Sequence, residues 1–125
     1  MILKDRLFFS ILVLLSLLFF VSSNAKAETS QAPQSLSKGR ALFNKKCSKC
    51  HGIKGVGTDK GPPLVHKIYE PNHHSDLSFH FAVERGVIAH HWYFGDMPKI
   101  DGVSSEQVDM IIQYVRNLQR QAGIY

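Results

Sequence analysis

The chain places its only two cysteines three residues apart, in Cys47-Ser48-Lys49-Cys50, and puts His51 directly after the second. Two cysteines scattered at random over this length, with a histidine next, reach that arrangement roughly one time in a thousand. Four chemistries use thiols this close. A disulfide persists in an oxidising compartment. A thioredoxin-like redox pair needs a βαβ setting, which the flanking sequence lacks. A structural zinc ion wants four ligands and usually a second cysteine pair. The fourth is C-x-x-C-H, the attachment pattern of a c-type haem. There the two thiols add across the two vinyl groups on one porphyrin edge, and the histidine is held under the iron as an axial ligand.

The N-terminus bears on that choice. Lys4 and Arg6 precede an apolar run from Leu7 to Val21, broken only by Ser10 and Ser16. Ser22-Ser23-Asn24 turns polar, and Ala25-Lys26-Ala27 is a small-x-small cleavage pattern. A signal peptide over residues 1–27 is predicted, with Glu28 first in the mature chain. The alternative is an uncleaved anchor, for which residues 7–23 are at the short limit for spanning. Either way the folded part is exported, and motif and compartment together favour haem. The full chain carries +5. Cleavage removes Lys4, Arg6 and Lys26 with Asp5, a balance too mild to suit nucleic acid. About a hundred residues remain, a size at which domains recruit a disulfide, a metal or a cofactor for stability.

An all-α domain is predicted over residues 36–125, behind a flexible polar lead at 28–35. Ser35 or Ser37 caps a first helix running through Gly39, Leu42 and Phe43 towards Cys47. Residues 52–63, rich in Gly and Pro, read as loop. Residues 64–74 are ambiguous, with a turn at Pro71-Asn72. Ser75 or Asp76 starts a second helix, with Leu77, Phe79, Phe81, Ala82 and Val83 on its apolar side and Gly86 as its stop. Ser104 and Gln107 fit a capping box. Val108, Ile111, Ile112, Val115 and Leu118 then mark one face of a last helix, which Gly123 ends. No segment alternates with period two for long enough to be a strand. Loops this long in a small domain imply that something else organises them.

A haem in an electron carrier has both axial positions filled, by Met/His or His/His. Beyond the leader there are two methionines. Met110 lies on the last helix, where core packing is its ordinary role. Met97 sits in Phe94-Gly95-Asp96-Met97-Pro98, a constrained loop suited to aiming a thioether, and is the expected second ligand. His90 or His91 is the alternative. His66, His73, His74, His80, His90 and His91 also raise a second site for copper or zinc. Solvated or haem-edge histidines are the expectation, because no pair has i, i+4 spacing on a clear helix; His73 and His74 with His80 come nearest.

Cys47-x-x-Cys50-His51, Gly61-Pro62-Pro63-Leu64, Gly95-Asp96-Met97-Pro98 and a closing amphipathic helix, in that order from about Ser37 to Gly123, resemble a class I monohaem cytochrome c. The resemblance implies a small cytochrome c fold, about three main helices wrapped round one covalently bound haem c per chain. It implies that the terminal helices cross at Gly39, Phe43 and Tyr114. It also implies that Pro62 offers its carbonyl to His51 Nδ1–H, as metal-bound imidazoles require. The histidine-rich stretch is not a general feature of that family.

The implied role is one-electron transfer between Fe(III) and Fe(II) in a periplasmic chain. Filled axial positions argue against an enzyme. Transient redox partners are expected at an exposed haem edge. Membrane contact comes only through a partner complex or an uncleaved N-terminus. Lys45, Lys46, Lys49, Lys54 and Lys60 either steer an acidic partner or form an ordinary solvated face. A haem subunit of an oxidoreductase complex, and a haem or metal sensor, are the alternatives.

Overall fold

A computed structural model describes residues 28–125, with side chains from Gln34 onward; the expected leader, residues 1–27, lies outside the described residues. Four α-helices follow in order: α1 (Glu28–Lys46), α2 (Ser48–His51), α3 (Asp76–Arg85) and α4 (Ser105–Gln121). Short 3-10 turns occupy Ile53–Gly55 and Lys67–Tyr69. Among the described residues there is no strand. Two isolated bridges, Thr58 with Gly61 and Val87 with Met97, are the extended pairings present. No described helix is long and apolar enough to cross a membrane.

Helix α4 forms where its sequence signals place it. Ser104 Oγ accepts from the Gln107 amide at 3.3 Å, and Gln107 Oε1 accepts from the Ser104 amide at 3.0 Å, so two otherwise orphaned amides are satisfied. Val108, Ile111, Ile112 and Val115 are buried along one face. Gly123 follows at a φ of 74°, a left-handed position beyond the last turn.

Helix α1 departs from expectation at its start. The backbone of residues 28–35, expected as a flexible lead, is helical. Ser37 does not cap it, because its hydroxyl donates backwards to the Gln34 carbonyl at 2.9 Å, a bond made inside a helix. Ser35 donates to Gln113 Oε1 on α4 at 2.7 Å. The two helices cross at Gly39. A Cβ there would lie 2.0 Å from the Met110 carbonyl oxygen, so only glycine admits this approach. One turn on, Phe43 meets Tyr114 with ring centroids 5.5 Å apart and planes tilted by 58°.

Helix α3 buries less than its composition suggests. Leu77 and Phe81 are exposed, and none of its residues is fully buried. Phe79, Ala82 and Val83 share one stripe at 100° per residue, and Leu77 and Phe81 lie off it. The stripe lines a cavity, and its Phe79 also packs against the core. The core itself is thin: Phe43, Ile111, Tyr114 and Val115.

Two polar residues of α4 hold the long 64–75 segment. Arg116 is buried; its Nε donates to Asp76 Oδ1 at 2.8 Å, its Nη1 to the Tyr69 carbonyl and to Gln119 Oε1, each at 2.7 Å, and its Nη2 to the His74 carbonyl. Gln119, 1% exposed, donates to the carbonyls of Leu64 at 2.8 Å and Tyr69 at 3.0 Å. A buried guanidinium is tolerable because its donors are used. Replacing Gly39 with alanine should force the terminal helices apart at a cost of roughly 1–3 kcal/mol. Thermal unfolding should then fall by about 4–8 °C for each kcal/mol; an unchanged melting temperature would show that the crossing is not close-packed.

Candidate haem site

The attachment motif continues the first helix. The Cys47 amide donates to the Phe43 carbonyl at 2.8 Å, the last bond of α1's spiral. The Cys50 and His51 amides then return to the Cys47 carbonyl at 3.2 and 2.9 Å, closing the single turn of α2. Both cysteines carry free thiols, Cys47 half-buried and Cys50 exposed. Burial, with the nearby Cys50, pushes the Cys47 thiol up to about 11 against the pull of Lys46.

The following loop locks that turn. The Gly57 amide donates to the His51 carbonyl at 2.7 Å, and Thr58 Oγ1 to the Cys50 carbonyl at 2.6 Å. The loop then delivers Pro62, whose carbonyl accepts from His51 Nδ1 at 2.8 Å. A carbonyl only accepts, so the proton is on Nδ1 and Nε2 keeps its lone pair. His51 is 9% exposed. Burial lowers its pKa below the ordinary imidazole value, opposed by the Pro62 bond, so the ring stays neutral.

Cys47, Cys50 and His51 share a cavity of about 600 Å³ with Met97, Phe79 and Ile111. That size is ordinary for a cofactor site, roughly 300–1,000 Å³. The Met97 loop is pinned at its base. Val87 and Met97 exchange two backbone hydrogen bonds of 2.9 Å each, and Asp96 Oδ1 accepts from the Ala89 amide at 2.8 Å. Gly86 permits this with a φ of 79°; a Cβ there would lie 2.4 Å from the Met97 carbonyl oxygen.

His90 and His91 line the same cavity, as do His74 and Trp92. Among the described residues the buried Trp92 Nε1–H has no hydrogen-bond partner of good geometry. It approaches the Tyr69 hydroxyl closely enough to lower that group's pKa, which burial raises. An orphaned donor on a cavity wall suits an acceptor from a bound group, and a porphyrin brings carboxylates. The apolar walls, paired thiols and neutral imidazole complete a donor set that fits haem. The sequence marks His90-His91-Trp92 as distinctive but gives no role to Trp92, the chain's single tryptophan, five residues before Met97.

Lys46 Nζ donates to the Asp101 carbonyl at 3.0 Å and keeps its positive charge. One expectation needs correcting. His80 does not join His73 and His74; its Nε2 faces Asp109 Oδ1 at 2.9 Å on α4.

The cytochrome c family model matches residues 36–119, more than half of the chain. The chain belongs to the cytochrome c family. It is a c-type cytochrome, and the family's chemistry is electron transfer on covalently attached haem. No curated protein and no solved structure matches the chain. In this cytochrome the residues that bridge back to Met97 matter as much as the motif. Gly86→Ala should displace the Met97 segment, lower the melting temperature by several degrees and alter the haem absorption spectrum. A variant with wild-type melting and spectrum would show that the loop tolerates the added methyl.

Proposed function

We propose that this cytochrome is an exported class I carrier of single electrons, with one haem c per chain joined to Cys47 and Cys50 and ligated by His51 and Met97. The observation that carries the reading is the shared cavity: all four side chains line it, and His51 has Nδ1 committed to Pro62. A bound haem c supplies the couple between Fe(III) and Fe(II).

The chain's own residues do the rest. Pro62 fixes the tautomer and plane of the His51 ring. Met97 contributes a soft thioether, which favours the reduced state more than an imidazole in its place. Phe79, Val108 and Ile111 keep water from the buried side of the cavity. His90 and His91 are the weaker candidates for Met97's role, because their rings are engaged with each other and with His73 and His74. Two filled axial positions leave no place for a substrate, so the protein works as a carrier and not an enzyme.

Partners are redox proteins that dock transiently at the cavity's edge. Ile88, Tyr93 and Phe94, exposed on the loop that leads to Met97, support that placement. Exposed Lys45, Lys49, Lys54 and Lys60 supply a positive surface for an acidic partner. The leader pattern in residues 1–27 supports work in the periplasm, with membrane association through a partner complex or a retained N-terminus.

Met97→Ala should abolish the weak near-infrared iron–sulfur band of the oxidised protein and lower the reduction potential by on the order of tenths of a volt. The same variant with an unchanged spectrum would transfer the ligand role to a histidine. Acid extraction of the denatured wild type should leave the pigment on the polypeptide, and a colourless chain would overturn covalent attachment.

A further inference from the structure

We propose that His73, His74 and His91 bind one divalent transition-metal ion of imidazole-preferring type, copper(II) or zinc(II), at a site separate from the axial positions. One ligand nitrogen from each of these three residues lies within 4.8 Å of the other two. Four-coordinate zinc with bonds of about 2.0–2.1 Å sets its nitrogens about 3.3 Å apart. Small side-chain rotations cover the difference.

The rings come from two segments that the fold brings together. His73 closes the turn at residues 71–73, His74 follows it, and His91 lies in the loop between Val87 and Met97. Ring centroids are 4.7 Å apart for His73 and His74, 5.0 Å for His73 and His91, and 5.1 Å for His74 and His91. Adjacent in sequence, His73 and His74 cannot share a helix face, so spacing alone conceals this group.

Three features distinguish it from a chance crowd of surface imidazoles. First, the tautomer of His74 is set. His74 Nδ1 donates to the Ile68 carbonyl at 2.6 Å, leaving Nε2 as the lone-pair nitrogen. Metal-bound histidines are oriented by such bonds. His90, whose ring lies 4.3 Å from that of His91, is set in the same way by the Ile88 carbonyl at 2.8 Å.

Second, the scaffold is held. The His73 and His74 amides both donate to the Glu70 carbonyl, at 3.0 and 2.8 Å, and Arg116 grips the His74 carbonyl from behind. The Val87–Met97 pairing and the Asp96 bond to Ala89 hold the other segment. Preorganised ligands lose little freedom when an ion arrives.

Third, among the described residues no hydrogen bond joins the three rings to one another, and no carboxylate belongs to the group. Imidazole nitrogens that converge without a hydrogen bond between them suit a cation. His73 is exposed, which gives an ion access from solvent. Imidazole suits both metals, and copper(II) binds such sites more tightly than zinc(II).

The test uses the untagged holoprotein, stripped of adventitious metal with a chelator and titrated separately with copper(II) and zinc(II) under calorimetry. Electron paramagnetic resonance reports the nitrogen ligands of copper. Saturation at one ion per chain is expected, tighter for copper, with nitrogen hyperfine splitting. His73→Ala combined with His91→Ala should weaken binding about 100-fold or more, whereas His80→Ala should leave it unchanged, since His80 pairs with Asp109. Unaltered haem absorption and melting in both variants keep the comparison free of misfolding. Absence of saturable binding overturns the proposal and is expected if the rings instead serve the porphyrin's carboxylates; equal affinity in the double variant overturns it too, since the ion then binds elsewhere. Failure of the haem reading is distinguishable, because it shows as missing pigment before any metal is added.

Discussion

Burying a neutral imidazole with one nitrogen committed and the other free is the requirement on which the remaining architecture depends. A donor bond to a backbone carbonyl is the simplest way to meet it, and it needs a chain segment that passes the ring without a side chain of its own in the way. The loop from Gly52 to Pro63 does this. Its amides and the Thr58 hydroxyl first tie down the carbonyls of Cys50 and His51, and only then does Pro62 arrive at Nδ1. The motif's geometry is thus maintained from outside the motif. A free peptide with the same five residues would have the thiols and the imidazole but neither the tautomer nor the burial.

The second consequence is a protein built round a space. Four apolar side chains make the fully packed cluster, and α3 turns its inner stripe to the cavity. A domain of this size gains little from such a core. The gap explains why buried polar residues are spent on loops. Arg116 and Gln119 replace what packing would otherwise do, holding the carbonyls of Leu64, Tyr69 and His74 from a helix that is itself well capped. A covalently held cofactor filling the cavity completes the core, which links retention of the cofactor to stability of the fold.

Local signals were legible in the sequence where one residue type has one job. The capping box at Ser104 and Gln107, the apolar stripe of α4 and the absence of strands all follow from spacing. The contacts at Gly39, Phe43 and Tyr114 and the Pro62 bond were reachable through family resemblance, because they are long-range and leave no periodic trace. What spacing could not show falls into two kinds. Residues 28–35 look like a polar lead by composition and carry Pro33, which disfavours a helix interior, yet their backbone continues the helix of the residues that follow. Arg116 and Gln119 lie on the stripe that reads as apolar, at four and seven residues after Ile112, so a pattern search skips them. The histidines failed for the same reason: their proximity depends on how two loops are folded together, and His80, the nearest by spacing, is drawn to Asp109 instead.

Met97 and His91 belong to one loop, and this constrains how a metal at the histidines and an iron in the cavity relate. Both residues follow Gly86 and Val87, and the pairing of Val87 with Met97 admits no side chain at Gly86. Movement of His91 towards a metal ion is therefore resisted by the same two backbone bonds that position the thioether. The side chain can turn about its own bonds while the loop stays in place, which is the range of motion that convergence from 4.8 Å requires. A chain that needed larger adjustment would disturb Met97 each time an ion bound. The close pinning at residue 86 thus lets two sites share a loop while keeping their geometries separate.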